Sequence, residues 1–320
     1  MQIYIYILLL IIGFVAVIKG ADWLVEGASS LARKYRVSEM AIGLTVVAFG
    51  TSAPELAVNV QANDEIVFGN IIGSNNVNLL GILGISGMIF PILVKRKTIF
   101  IDIPFSILVL VGFMLLCNDK WFGHTENILS RFDAGIMLVL FVAFIFYVFK
   151  TSRTEILSEL SSVSQKPMHI TIGMFLLGLV GLTLGGKLIV DNASGLARMA
   201  NVSETMIGLT IVSLGTSLPE LATSLVASVK RRGDLAVGNI IGSNLFNILL
   251  IMSTSALVSP RVFTPYLNAD VATTIFATTL ILVSLLLFKV KKLGVYQSSA
   301  LVLTFVLYYT FVMNRDLGWF

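Results

Sequence analysis

The chain has 320 residues, of which 56% are apolar and only 12% are charged, and its mean hydropathy is +0.92. A soluble chain of this length carries about twice that share of charges, so the composition excludes an ordinary soluble enzyme, a disordered protein and a nucleic-acid binder. The single cysteine, Cys117, excludes a disulfide framework, and the two isolated histidines, His124 and His169, argue against a zinc site.

The apolar residues form ten runs, and a helix needs roughly 20 apolar residues to cross a bilayer. The first run lacks the basic leader and small-residue cleavage site of a signal peptide, so we interpret it as a retained span that continues toward Leu31. The sequence therefore predicts an all-α polytopic protein embedded in a lipid bilayer. The predicted spans are 3–20, 41–62, 67–94, 99–117, 132–149, 170–192, 206–229, 235–259, 270–288 and 296–313.

The basic residues indicate the orientation of these spans. Fifteen Lys and Arg residues follow odd-numbered spans and only five follow even-numbered spans. Because basic loops stay in the cytoplasm, both termini are predicted to lie outside the cell membrane. The polar segment 151–169 is predicted to be a cytoplasmic linker between a first five-helix unit, 1–150, and a second, 170–320.

The two units carry the same sequence motifs. Residues 31–59 and 196–224 are identical at 18 of 29 positions, and 69–82 and 238–251 at 10 of 14. The copies begin five spans apart, and since five is odd, equivalent helices cross the membrane in opposite directions. Such inverted repeats are typical of secondary transporters, in which one repeat moves against the other.

Two acidic residues, Glu55 and Glu220, lie well inside predicted spans and at equivalent positions of the repeats. An ionisable group at that depth costs about 2.5–3.5 kcal/mol, a cost that is tolerated where a cation or a water-filled cavity meets it. Each follows a Gly-Thr-Ser-x-Pro sequence, and because proline removes a backbone N–H, we expect both spans to break there. The freed carbonyls, the hydroxyls and the carboxylate form the all-oxygen shell that Na⁺ and Ca²⁺ prefer. Ser52 and Ser217 also have the spacing of capping boxes, which is compatible with ion binding.

The second repeated motif is Gly-Asn-Ile-Ile-Gly-Ser-Asn-x-x-Asn. Ser74 and Asn78 are four residues apart, as are Ser243 and Asn247, so each pair shares a helix face and is predicted to contact the ion. The remaining asparagines are instead predicted to hold helices together by hydrogen bonds. These are Asn70, Asn75, Asn239 and Asn244.

The paired motifs resemble the α-repeats of the calcium/cation antiporter superfamily, and most closely the prokaryotic sodium/calcium exchangers, over essentially the whole chain. The resemblance implies exchange of several Na⁺ for one Ca²⁺ without a cofactor, and gating by sliding of the first and sixth spans. It also implies a set of ion ligands in which Ala48 and Ser213 contribute backbone carbonyls. The side-chain ligands implied are Thr51, Ser52, Glu55, Ser74 and Asn78 in the first repeat, and Thr216, Ser217, Glu220, Ser243 and Asn247 in the second.

Two alternatives remain open at this point, and a third is disfavoured. A proton/cation exchanger of the same superfamily would use the glutamates as proton carriers, and a cation channel would need a continuous pore. An intramembrane enzyme would need a nucleophile–base pair, which the sequence does not contain. Some relatives carry Asp where this chain has Asn247, and the resulting shell of only two carboxylates argues against K⁺ cotransport.

The repeats also differ in length. Gly69 follows Glu55 by 14 positions, whereas Gly238 follows Glu220 by 18, a difference of about one helical turn or roughly 6 Å. The broken helix of the first repeat should therefore end about one turn sooner, on the outer face, than the broken helix of the second repeat ends on the inner face. The gap is either a harmless trim or the mark of a wider outer vestibule made acidic by Asp64 and Glu65.

Overall fold

The computed structural model describes residues 2–60, 62–152, 167–202, 207, 211, 213–287 and 291–316. Most of the predicted linker, residues 153–166, and much of the seventh span before Ser213 therefore lie outside the described residues. Ten helices are numbered here in chain order. They are α1 (Gln2–Tyr35), α2 (Glu39–Ile42, Gly43–Val47 and Ala48–Asn59), α3 (Asp64–Asn76, Val77–Ile82 and Leu83–Ile89), α4 (Thr98–Asp102 and Ile103–Leu116), α5 (Arg131–Ser152), α6 (Met168–Met199), α7 (Ser213–Thr216 and Leu218–Val229), α8 (Gly233–Phe246, Asn247–Met252 and Ser253–Val258), α9 (Asn268–Leu287) and α10 (Val295–Asp316).

The helices confirm the predicted all-α class. Among the described residues, nine helices are long and apolar enough to cross a membrane, and α7 contributes the shorter apolar segment Leu218–Val229. The first helix continues without a break from Gln2 to Tyr35, beyond the predicted extension. Four two-residue strands tie the helix ends together in antiparallel pairs. They are β1 (Ile92–Leu93) with β4 (Lys292–Leu293), and β2 (Ile128–Leu129) with β3 (Arg261–Val262).

The helices that carry the repeated motifs form the centre of the molecule. The most apolar stretch of α8 is 94% buried and that of α3 is 78% buried, against 17% in α1 and 11% in α10. A helix that is apolar on all sides and exposed in the fold is suited to contact lipid. The motif helices are therefore surrounded by a shell of lipid-facing helices.

Helices α1 and α6 pack against each other through glycines. A Cβ added to Gly20 would lie 2.8 Å from the backbone nitrogen of Leu182, and one added to Gly178 would lie 2.6 Å from that of Leu24. Neither distance admits a side chain, so the two backbones touch, as is common between membrane helices with small residues. The pair therefore presents a smooth, closely packed interface.

The expected break at the prolines occurs in only one repeat. Helix α7 is interrupted at Ser217, directly before Leu218 and Pro219, whereas Ala48–Asn59 continues through Pro54. Pro54 still removes the N–H that would bond the carbonyl of Gly50, so that helix is weakened without ending. The departure from α geometry in α2 comes earlier, in the π-helical turn Gly43–Val47.

Candidate functional site

The predicted ligands converge where α2 and α3 of the first repeat meet α7 and α8 of the second. Of the twelve predicted ligands, Thr216 is half-buried, and the side chain of Ser213 lies outside the described residues. The other ten are no more than 5% exposed. These ten are Ala48, Thr51, Ser52, Glu55, Ser74, Asn78, Ser217, Glu220, Ser243 and Asn247.

Each of the two carboxylates is anchored through one oxygen only. Ser74 Oγ donates to Glu55 Oε1 over 2.9 Å, and Ser52 Oγ donates across the repeats to Glu220 Oε1 over 3.2 Å. The other oxygen of each group, Oε2, is buried and has no hydrogen-bond partner among the residues that the structure describes. A buried anionic oxygen without a partner is costly, so each glutamate retains an oxygen that a cation would stabilise.

The two ligand asparagines show the same arrangement. Asn78 Nδ2 donates to Asn244 Oδ1 over 3.0 Å, and Asn247 Nδ2 donates to Asn75 Oδ1 over 3.1 Å. The carbonyl oxygens Oδ1 of Asn78 and Asn247 are buried, and no described residue forms a hydrogen bond with them. Asn78 and Asn247 stand in equivalent π-helical turns, Val77–Ile82 and Asn247–Met252, a distortion that is frequent at functional sites.

Three of the four asparagines predicted to join helices do so. Asn75 Nδ2 donates to the Asn244 carbonyl over 3.3 Å, and Asn244 Nδ2 returns a bond to the Asn75 carbonyl over 3.2 Å. Asn239 accepts a bond from Thr51 Oγ1 over 3.3 Å and donates to Ser224 Oγ over 3.1 Å. The structure adds that Asn75 and Asn244 also hold the ligand amides, although the sequence assigned them to helix packing alone.

The hydroxyl ligands do not follow the two-fold relation. Thr51 Oγ1 lies 3.3 Å from the carbonyl of Ala48 and 3.4 Å from Ser243 Oγ, so these three residues form a chain of contacts between α2 and α8. Ser217 Oγ, the counterpart of the Ser52 hydroxyl, is buried and has no hydrogen-bond partner among the described residues. Helix α7 is interrupted at Ser217, whereas α2 continues through Ser52.

The resulting site is a cluster of oxygens with a formal charge of −2. Its unpartnered atoms are Oε2 of Glu55 and Glu220, Oδ1 of Asn78 and Asn247, and Oγ of Ser217. Within the described ranges there is no group of three or more His, Cys, Asp or Glu side chains that could hold a metal, and the unpartnered atoms of this cluster are all oxygens. Carboxylate, amide and hydroxyl oxygens suit hard cations such as Ca²⁺.

The turn between α2 and α3 is fastened by Arg261, which the sequence presented only as one more loop charge. Arg261 is 6% exposed, and its guanidinium donates to the carbonyls of Val60 and Ala62 and to Asp64 Oδ1, the last over 3.1 Å. The second oxygen of Asp64 accepts the backbone N–H of Val262. Asp64, one of the two acidic residues of the expected vestibule, therefore has both of its oxygens bonded at this turn.

Helix α7 continues further beyond its glutamate than α2 does, as the gap between the repeats predicts. Helix α2 ends at Asn59, four positions after Glu55, whereas α7 ends at Val229, nine positions after Glu220.

The part of α7 that follows Glu220 presents a buried polar face. Thr223, Ser224 and Ser228 are all at most 2% exposed, and their spacing from Glu220 places them on one side of α7. Ser228 also lines a groove of about 810 Å³ at the surface. Hydroxyl groups therefore lead from the second carboxylate toward this groove.

Comparisons with known proteins match the chain over most of its length. The family model described as sodium/calcium exchanger protein matches residues 5–150 and 170–314. The chain is 36% identical to CaxA of Alkalimonas amylolytica, over 93% of this chain and 95% of CaxA, and 29% identical to the sodium/calcium exchanger MaX1 of Methanosarcina acetivorans, over 79% and 83%. It superposes on the sodium-calcium exchanger NCX_Mj with a TM-score of 0.82 and 28% identity, covering 95% of this chain and 98% of NCX_Mj.

Proposed function

This chain belongs to the sodium/calcium exchanger family, and we propose that its antiport of Na⁺ against Ca²⁺ takes place at the oxygens of Glu55, Asn78, Glu220 and Asn247. The observation that carries the proposal is that each of these residues buries one oxygen without a hydrogen-bond partner in the described part of the chain. Two oxygens come from each repeat, so both halves of the protein hold the ion. Na⁺ and Ca²⁺ are the transported substrates.

The charge of the site explains why the two ions exchange. One Ca²⁺ balances the two carboxylates, and Na⁺ ions balance the same charge when they replace it. Because both ions use the same oxygens, they compete rather than bind together. An empty site leaves two buried charges uncompensated, at about 2.5–3.5 kcal/mol for each, which opposes movement of the unloaded carrier.

Alternating access is supported by the packing around the site. The glycine contacts between α1 and α6 allow this pair to slide as a unit beside the motif helices. Lys230, at the end of α7, holds α1 through Asp22 over 2.7 Å, and this ion pair would break when α1 moves. We assign the α7–α8 turn to the cytoplasm, because it lies on the face that carries most of the basic loops. Both termini are then assigned to the outside.

Uptake of radioactive Ca²⁺ into proteoliposomes tests the proposed function. Vesicles loaded with Na⁺ and diluted into Na⁺-free medium should accumulate Ca²⁺, whereas equal K⁺ or H⁺ gradients should not drive uptake. Ca²⁺ uptake that follows the pH gradient and ignores Na⁺ would identify a proton exchanger. Rapid flux without any counter-ion would identify a channel.

A further inference from the structure

Asn75 and Asn244 occupy equivalent positions three residues before the ligand asparagines Asn78 and Asn247. Both are buried, at 0% and 7% exposure, and each forms hydrogen bonds through both ends of its side-chain amide. One end bonds the main chain of the opposite repeat, and the other end bonds a ligand amide. Ordinary helix packing requires only the first of these bonds.

The main-chain bonds determine which way the ligand amides point. The carbonyl of Asn244 can only accept a hydrogen bond, so the NH₂ of Asn75 must face it and Oδ1 of Asn75 must face Asn247. Asn247 must then present its own NH₂ to Asn75, which leaves its Oδ1 free. The same reasoning from the carbonyl of Asn75 through Asn244 orients Asn78.

We propose that Asn75 and Asn244 are positioning residues that keep the amide oxygens of Asn247 and Asn78 turned toward the transported cation. This inference deepens the proposed function and rests on it. Without these partners a ligand amide can rotate and present its NH₂ group, which repels a cation. The energy of a carbonyl dipole beside an ion scales with the ionic charge, so the loss is about twice as large for Ca²⁺ as for Na⁺. The four asparagines therefore tune the preference between the two ions.

Replacement by leucine tests this role against a matched control on the same helix. Asn76 is also fully buried and bonded, to the carbonyl of Asp270 over 3.0 Å and to Thr274 over 2.8 Å, and neither of these bonds involves a ligand residue. Its counterpart in the second repeat is Leu245. We expect Asn75→Leu to raise the Ca²⁺ concentration for half-saturation about tenfold or more and that for Na⁺ less. Asn76→Leu should lower the melting temperature without changing either.

A double-mutant cycle separates positioning from general packing. If Asn75 acts through Asn247, then Asn75→Leu should cause no further loss of Ca²⁺ binding once Asn247→Ala is present. Additive losses, or an equal shift from Asn76→Leu, would overturn the proposal. The cycle of Asn244→Leu with Asn78→Ala tests the same point from the other repeat, which covers a failure of Asn75→Leu to fold.

The same cycle distinguishes failure of this inference from failure of the proposed function. If Asn247→Ala alone leaves Ca²⁺ binding at its wild-type strength, Asn247 is not a ligand and the proposed site is wrong. If Asn247→Ala weakens binding and Asn75→Leu does not, the site stands and the positioning role is rejected. Binding to purified protein is the readout, so variants without exchange activity remain measurable.

Discussion

The centre of the ion site and its two ends differ in how well they keep the two-fold relation of the repeats. At the centre, Glu55 with Asn78 and Glu220 with Asn247 present matching unpartnered oxygens. At the ends, the α2–α3 turn and the α7–α8 turn differ in length and in charge. The ligands that contact the ion thus stay equivalent while the turns around them have diverged.

The two turns close the molecule by different means. Arg261 binds main-chain carbonyls and Asp64 at the α2–α3 turn, where the helix stops early. At the α7–α8 turn, Arg232 bonds Glu39 over 2.5 Å and is partly exposed, beside a groove of about 810 Å³. Because the two turns are held differently, we expect the two faces of the protein to differ in how easily they open to the same ion site.

Removing a carboxylate from the symmetric centre should have the largest effect. Glu55→Gln or Glu220→Gln nearly preserves volume but leaves a divalent ion with one buried counter-charge. Loss of one member of a buried charge set costs about 3–5 kcal/mol, so Ca²⁺ exchange should fall at least about 100-fold. The measurement is Na⁺-driven Ca²⁺ uptake, with Glu65→Gln, an exposed glutamate of the same repeat, as the control. Near-wild-type exchange in either site variant would reject the two-carboxylate site.

Arg261→Met should show that the α2–α3 turn is held by a buried charge. The change removes several bonds and leaves Asp64 without its cation, so the free energy of unfolding should fall by about 3 kcal/mol. Arg232→Met, at the exposed turn, should cost less than about 1 kcal/mol. Thermal unfolding in detergent compares the two variants. Equal losses of stability would mean that the two turns are held equally firmly by their arginines.

Asn247→Asp breaks the equivalence at the centre itself. An ionised aspartate cannot donate to Asn75 Oδ1, as the wild-type amide does, whereas its protonated form can. We therefore expect the variant to insert normally, to become more dependent on K⁺, and to depend on pH in a way that wild-type protein does not. Exchange measured across several pH values and K⁺ concentrations checks this. An unchanged ion profile would identify Asn247 as a packing residue.

Glu65→Gln should have the smallest effect, because Glu65 is exposed near the α2–α3 turn. An acidic entrance raises the local cation concentration, and salt screens this attraction. Apparent Ca²⁺ affinity on that face should weaken by about twofold at low ionic strength and much less at high ionic strength. Asp64 is excluded from this test since it binds Arg261. An effect that is independent of salt, or equal on both faces, would reject an acidic entrance.

The sequence predicts the ten helices, the inverted repeat and the meeting of the two glutamates. The lengths of the apolar runs and the duplicated motif are visible within short stretches of sequence, so these features need no knowledge of packing. It does not predict the role of Arg261, since three of that residue's partners, Val60, Ala62 and Asp64, lie about 200 positions away in the chain. It also places a break at Pro54 that the helix absorbs, because proline weakens a helix without determining where neighbouring packing lets it end. The orientation of the ligand amides required the bonds of Asn75 and Asn244, which only packing reveals.

Competition between Na⁺ and Ca²⁺ for the purified protein tests the central claim most directly. Calorimetric titration of Ca²⁺ into protein held at increasing Na⁺ concentrations measures whether the two ions use the same oxygens. The account predicts that Na⁺ displaces all bound Ca²⁺ cooperatively, and that Glu55→Gln and Glu220→Gln each abolish the Ca²⁺ signal. Ca²⁺ that stays bound at saturating Na⁺, or that binds either variant as strongly as the wild type, would contradict it.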